Sequence, residues 1–174
     1  KKNSMSIFYL PEVNAVGGTL DEFPMSGVFQ KGGYVLFGGT WSVDTGDGMD
    51  DKWFAITTEG EVAVYEGNNP GDANAWSLVG RYDISPPLGS RAMWQVGGDV
   101  QIGTINGIVT LSQALATDEI KLEIVSASAA IDPEWRREAA RRRQLPWEMM
   151  KWPTKGMGVV SLPSFSNEVP RCYV

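Results

Sequence analysis

An all-β fold is predicted by three features of the chain. Short apolar and aromatic runs alternate with Gly, Asn and Asp clusters through most of residues 5–112, the pattern of short strands joined by tight turns. Pieces of that pattern recur at fixed offsets. One stretch near the C-terminal third switches to helix chemistry and stands apart.

The strands follow in order. Val28-Phe29-Gln30 and Tyr34-Val35-Leu36-Phe37 flank Gly32-Gly33, a predicted hairpin, because glycine reaches the positive φ of tight primed turns. Trp53–Thr57 and Glu61–Tyr65 flank Glu59-Gly60. Ser77–Ile84 is a further strand, closed by Pro86-Pro87. Met93–Val96 meets Val100–Ile102 through Gly97-Gly98, and Ile102–Thr104 turns at Asn106-Gly107 into Ile108–Leu111; Asn-Gly is the strongest short hairpin signal. Ile120–Val125 alternates like a strand, and Gly158–Leu162 and Arg171–Val174 return to β-character.

The helix is predicted over 133–144. Asp132 serves as N-cap, Pro133 as first helical residue and Glu134 as first-turn acid, followed by Trp135-Arg136-Arg137-Glu138-Ala139-Ala140-Arg141-Arg142-Arg143. Pro146 limits it, and the late arginines complement its C-terminal dipole.

Two self-similarities refine the fold class. Residues 28–38 align with 93–103 on apolar-aromatic-Gln-x-Gly-Gly-x-Val-x-apolar-Gly, and 57–62 resembles 104–109, with an extra segment containing Thr40 to Asp51 in the first unit. Successive meanders with glycine punctuation are what propeller blades look like in sequence. The same turn chemistry also serves a β-sandwich. The expected organisation is a partial β-propeller: blade segment 1–130, helical insertion 131–155 and a further β segment 156–174. About two blade units fall short of the four a closed propeller needs, which leads to the expectation of a segment of a longer polypeptide.

Composition narrows function. The chain of 174 residues has no histidine and one cysteine, which removes Ser-His-Asp and Cys-His machinery, His-ligated zinc and an internal disulfide. The net charge of −6 speaks against a globally basic nucleic-acid binder. The charge is uneven: residues 1–130 carry 7 Lys/Arg against 16 Asp/Glu, and residues 131–174 carry 8 against 5. No apolar run approaches the roughly 20 residues of a membrane helix, and the basic start is too short in apolar residues for a secretory leader.

The stretch from Thr40-Trp41-Ser42-Val43-Asp44 through Tyr65-Glu66-Gly67, with Asn69-Pro70, Trp76–Gly80, Pro87-Leu88-Gly89 and Gly97-Gly98-Asp99, resembles β-propeller proteins of short-tailed bacteriophage tails, the nozzle or tail tubular class. The resemblance covers about residues 26–115, and more weakly the remainder. It implies a virion component made in the host cytoplasm, a ring below the head-to-tail connector that lines the DNA exit channel. Its implied partners are other copies or segments of the same polypeptide and other tail or connector proteins. It implies no catalysis, no membrane contact and DNA transit without specific binding. An acidic blade surface suits transit, because each neutralised phosphate adds affinity that would stall the duplex.

Two clusters are candidate sites. Asp44, Asp47, Asp50 and Asp51 concentrate carboxylates around Gly46 and Gly48. Calcium takes six to eight oxygens, although the spacing is not that of an EF-hand; the other reading is an exposed turn. Apart from this calcium, no cofactor is expected. Arg136, Arg137, Arg141, Arg142 and Arg143 form the basic cluster, a candidate contact for an acidic neighbouring subunit or DNA phosphate, with a solvated helix face as the alternative. Trp41, Trp53, Trp76, Trp94, Trp135, Trp147 and Trp152 read as core or inter-blade packing, with a carbohydrate platform as the alternative. The alternative function is a calcium- or carbohydrate-binding propeller adhesin domain, with a glycosidase fragment third. Cys172 is expected to be a buried small hydrophobe.

Overall fold

The computed structural model describes residues 3–12, 15–44, 49–116 and 128–174; the side chains of 43, 44 and 49–51 lie outside that description. The chain divides into two compact units, Lys1–Tyr82 and Asp83–Val174.

In the first unit, β1 (Ser6–Tyr9) pairs antiparallel with β2 (Asp21–Pro24). A four-stranded sheet follows in strict sequence order: β3 (Val35–Asp44), β4 (Met49–Thr57), β5 (Glu61–Gly67) and β6 (Trp76–Asp83). The β3–β4 ladder is long and has one irregularity between Val35 and Phe37. Of the segment that interrupts the sequence repeat, Thr40 to Asp51, the described residues 40–44 and 49–51 belong to these two strands. The turn from β4 to β5 places Gly60 at φ 84°, the left-handed region where a side chain is strained. Both faces of β4 and β5 are buried: Ala55, Ala63 and Tyr65 on one, Phe54, Ile56, Val62 and Val64 on the other. Met25 and Phe29 complete the first of these cores, with Phe23, Trp53 and Trp76 packed against it. Tyr65 and Trp76 stack at 5.2 Å, and Phe23 meets both edge-on.

The predicted hairpin across Gly32-Gly33 does not form. Val28 sits in a turn and Phe29 is a core plug, so the aromatic-apolar run is a loop that dips into the core. Buried Glu61 holds it there, accepting from the backbone N–H of Gln30 at 2.9 Å and of Lys31 at 2.8 Å. The 28–38 and 93–103 likeness is therefore not structural. The shorter one is: in both turns a fully buried threonine closes the loop, Thr57 Oγ1 accepting from Glu61 N–H at 3.1 Å and Thr104 Oγ1 donating to the Gly107 carbonyl at 2.8 Å.

In the second unit, β7 (Met93–Val96), β8 (Asp99–Thr104) and β9 (Gly107–Thr110) form an antiparallel meander. A short helix, α1 (Leu111–Ala116), follows where sequence reading extended a strand to Leu111. Asp99 sets its start, accepting from the Ser112 N–H at 3.2 Å and from the Ser112 hydroxyl. The strand expected at 120–125 lies outside the described residues. Helix α2 (Asp132–Arg142) comes next. Asp132 is its first residue rather than its cap, and its carboxylate accepts from the Ser128 hydroxyl at 3.1 Å. A second antiparallel sheet then forms from β10 (Glu148–Trp152), β11 (Met157–Leu162) and β12 (Arg171–Tyr173).

A parallel bridge between Arg91 and Glu148 joins the two sheets of this unit, with Met149 N–H donating to the Arg91 carbonyl at 2.9 Å. Trp135 and Trp147, both fully buried and 5.3 Å apart, sit at the centre of its core with Leu88, Ile108, Val160 and Leu162. Both of these indole N–H groups are satisfied, as burial favours: Trp135 donates to the Thr104 carbonyl at 2.9 Å and Trp147 to the Arg142 carbonyl at 3.3 Å. The architecture is mostly antiparallel β with one arginine-rich helix. Among the described residues no sheet closes on itself.

Candidate functional site

The arginines of α2 do not form one surface. Arg142 is 1% exposed, and Glu138, one helical turn earlier, is 3% exposed. Arg142 Nε donates to Glu138 Oε2 at 2.6 Å, and its Nη1 donates to the Pro163 carbonyl. Its Nη2 lies 2.7 Å from Glu168 Oε2, a charge contact without an aligned hydrogen bond. Arg141 also pairs with Glu168, and both guanidinium groups stand 5.7 Å from the Phe165 ring. Arg137 pairs with Glu134. The cluster therefore fastens the loop 163–168 to the helix. Arg136 and Arg143 face outward.

Electrostatics agree with that assignment. The hydrogen bond from Arg142 holds the Glu138 carboxyl below the usual carboxylate range against the opposing effect of burial, helped by the charges of Arg142, Arg141 and Arg171. A buried carboxylate held ionised by fixed partners is poorly suited to proton exchange with a substrate. Burial raises the Tyr65 phenol, and burial, with Glu134 and Glu138, raises that of Tyr173.

Of the predicted calcium ligands, Asp47 and the carboxylates of Asp44, Asp50 and Asp51 lie outside the described residues; the β3–β4 register pairs Ser42 with Asp51 and Val43 with Asp50. Among the described residues no group of three His, Cys, Asp or Glu is placed to hold a metal ion, and no described helix is long and apolar enough to cross a membrane.

The tryptophans divide by position. Trp41, Trp135 and Trp147 are buried; Trp53, Trp76 and Trp94 are partly buried; Trp152 is 50% exposed. The last departs from core packing, one of the two packing roles expected of the tryptophans. Cys172 is also exposed, contrary to expectation. It sits opposite exposed Ser161 on edge strand β12, whereas the next residue, Tyr173, turns inward to Trp135 at 6.0 Å.

Trp152 marks a groove of about 420 Å³ in the second unit, lined mainly by Trp94, Val96, Gln101, Lys151, Trp152 and Met157. A second hollow of about 320 Å³ shares Trp94, Gln101 and Gly158 with it and continues past Ile131 and Tyr173. Trp94 is a fixed wall. Its indole N–H donates to Gln101 Oε1 at 2.7 Å, and Gly158 lets the ring lie close to β11, because a Cβ there would stand 2.6 Å from Cη2. Trp152 and Met157 pair across β10 and β11 at the end of the hairpin. The sequence placed Trp94 and Trp152 among seven tryptophans read as packing, with a carbohydrate platform as the alternative, but did not bring the two together, since β10 was not foreseen. A smaller hollow in the first unit is lined by Tyr9, Lys52, Trp53, Asn68, Pro70 and Trp76.

No family model, curated protein or solved structure matches the chain.

Proposed function

We propose that the chain is a structural segment of a tail nozzle or tubular assembly of the short-tailed phage kind, part of a β-propeller wall that packs against further copies or segments and carries out no bond-making chemistry. The observation that supports this reading is the order of the sheets. β3 to β6 form a four-stranded up-and-down meander in strict sequence order, the pattern of a propeller blade, and β7 to β9 form a shorter meander of three strands. The described buried charges suit the same role. Glu61 and the Glu138–Arg142 pair hold loops in place.

In such an assembly the acidic surface of residues 1–130 leaves the duplex free to pass, since attraction to phosphate would retard it. Sedimentation velocity of the chain with negative-stain imaging tests the reading: rings or tubes with an axial channel are expected, and a single 19.0 kDa species at every concentration would refute it. A carbohydrate-binding role is the second reading, favoured by the Trp94–Trp152 groove and the amide of Gln101; a glycan array tests it.

A further inference from the structure

The groove between Trp94 and the β10–β11 hairpin has no occupant within its own unit, and it is costly to leave in water. Trp152, Met157 and Val96 line it at 50%, 41% and 43% exposure. The groove gathers these apolar side chains at one place, a small apolar floor on which a partner's side chain would lose its contact with water. Lys151 is the charged residue in the lining, and exposed Lys155 stands on the same hairpin. The groove thus presents an apolar floor under a cationic rim.

The complementary surface is on the first unit. Among the described residues β6 is the last strand of its sheet, so one side of its backbone has no neighbouring strand there. Leu78 and Val79 are exposed on it at 47% and 43%. The Glu66 carboxylate accepts from the hydroxyl of Ser77, the β6 residue before Leu78, at 3.3 Å. The first unit carries 5 Lys/Arg against 11 Asp/Glu, and the second carries 10 against 10. The first unit is thus net acidic and the second neutral overall, so the charge match is local, an acidic edge against the lysine rim of the groove; a match of this kind steers association and sets its register.

We propose that the groove is the docking site for a second copy of this chain, and that the docking element is that copy's β6 edge, with Leu78 or Val79 in the groove and Glu66 toward Lys151. The proposal rests on the assembly reading above. Groove and edge are different patches, so the contact is heterologous and propagates from copy to copy, which generates rings or open filaments.

Sedimentation velocity tests it with two variants of exposed residues, each checked for native circular dichroism. One is the groove variant Lys151→Glu with Trp152→Ala; the other is the edge variant Leu78→Glu. Each should weaken self-association by about tenfold or more, as loss of a central anchor does, and added salt should weaken the wild type. Mixed together, the two variants retain one good groove and one good edge. They should form a 1:1 dimer and stop there. Wild-type assembly that both variants share undiminished would overturn the docking site and leave the assembly reading standing. A wild type that never assembles overturns both. If soluble oligosaccharides quench Trp152 fluorescence and the groove variant assembles normally, the groove belongs to a sugar and the proposal falls.

Discussion

Replacing Glu138 with Gln should destabilise the second unit by about 3 kcal/mol. Arg142 and Glu138 are 1% and 3% exposed and meet at 2.6 Å, so the change leaves a buried guanidinium without its best-aligned partner. Breaking a buried ion pair from one side costs about 3–5 kcal/mol. The low end applies because Arg142 keeps the Pro163 carbonyl and the charge of Glu168. In urea the midpoint should fall by about 1–3 M, given slopes of about 1–3 kcal/mol per molar. Tryptophan fluorescence is the assay, since Trp147 donates to the carbonyl of Arg142 itself and Trp135 lies 5.3 Å away. The double change Glu138→Leu with Arg142→Leu should recover much of the loss, because a buried pair exchanged for apolar groups of similar size is close to neutral. A loss below about 1 kcal/mol for Glu138→Gln, the range of exposed pairs, would refute the claim that this pair is a buried fastening.

Three further outcomes follow from the same geometry. The Glu138 carboxyl titrates below its unfolded range, so its stabilisation is present above the unfolded value of about 4.3 and fades as pH falls through the lower folded value; acid titration should show a loss in that window that Glu138→Gln lacks. Gly158→Ala should cost about 1–3 kcal/mol through overpacking, because the new Cβ would meet the Trp94 ring at 2.6 Å, and altered Trp94 emission would report the displaced wall. Exposed Cys172 should react with a thiol reagent in the native state, at a rate near that of the urea-unfolded chain; protection by more than about a hundredfold would place the thiol in the interior, since burial makes it inert.

What the sequence disclosed was local. The turns at Glu59-Gly60, Gly97-Gly98 and Asn106-Gly107 were legible because the turn residues themselves carry the required backbone freedom. Helix α2 was legible within a residue or two from Pro133 and its helix-forming run, the usual margin at a helix end. What failed was long-range. Val28-Phe29-Gln30 has the composition of a strand, yet Glu61, some 30 residues later, takes its backbone donors and Phe29 fills the core. β10 was hidden because Glu148-Met149-Met150-Lys151 consists of good helix formers, and pairing with β11 overrides that preference. Of the candidate sites, the arginine cluster was legible as a cluster but not as a fastening. Glu138 four residues before Arg142 is a visible helical pair, whereas Glu168 and Pro163 reach it only through the fold. The Trp94–Trp152 groove needed both hairpins in place before it existed at all.

The most direct test of the account is the solution mass of the chain measured alongside images of what it forms. Multiples of 19.0 kDa that grow with concentration and appear as rings or tubes with a central channel are the predicted result. A monomer that persists up to millimolar concentration, its groove and its β6 edge open to water, would contradict it.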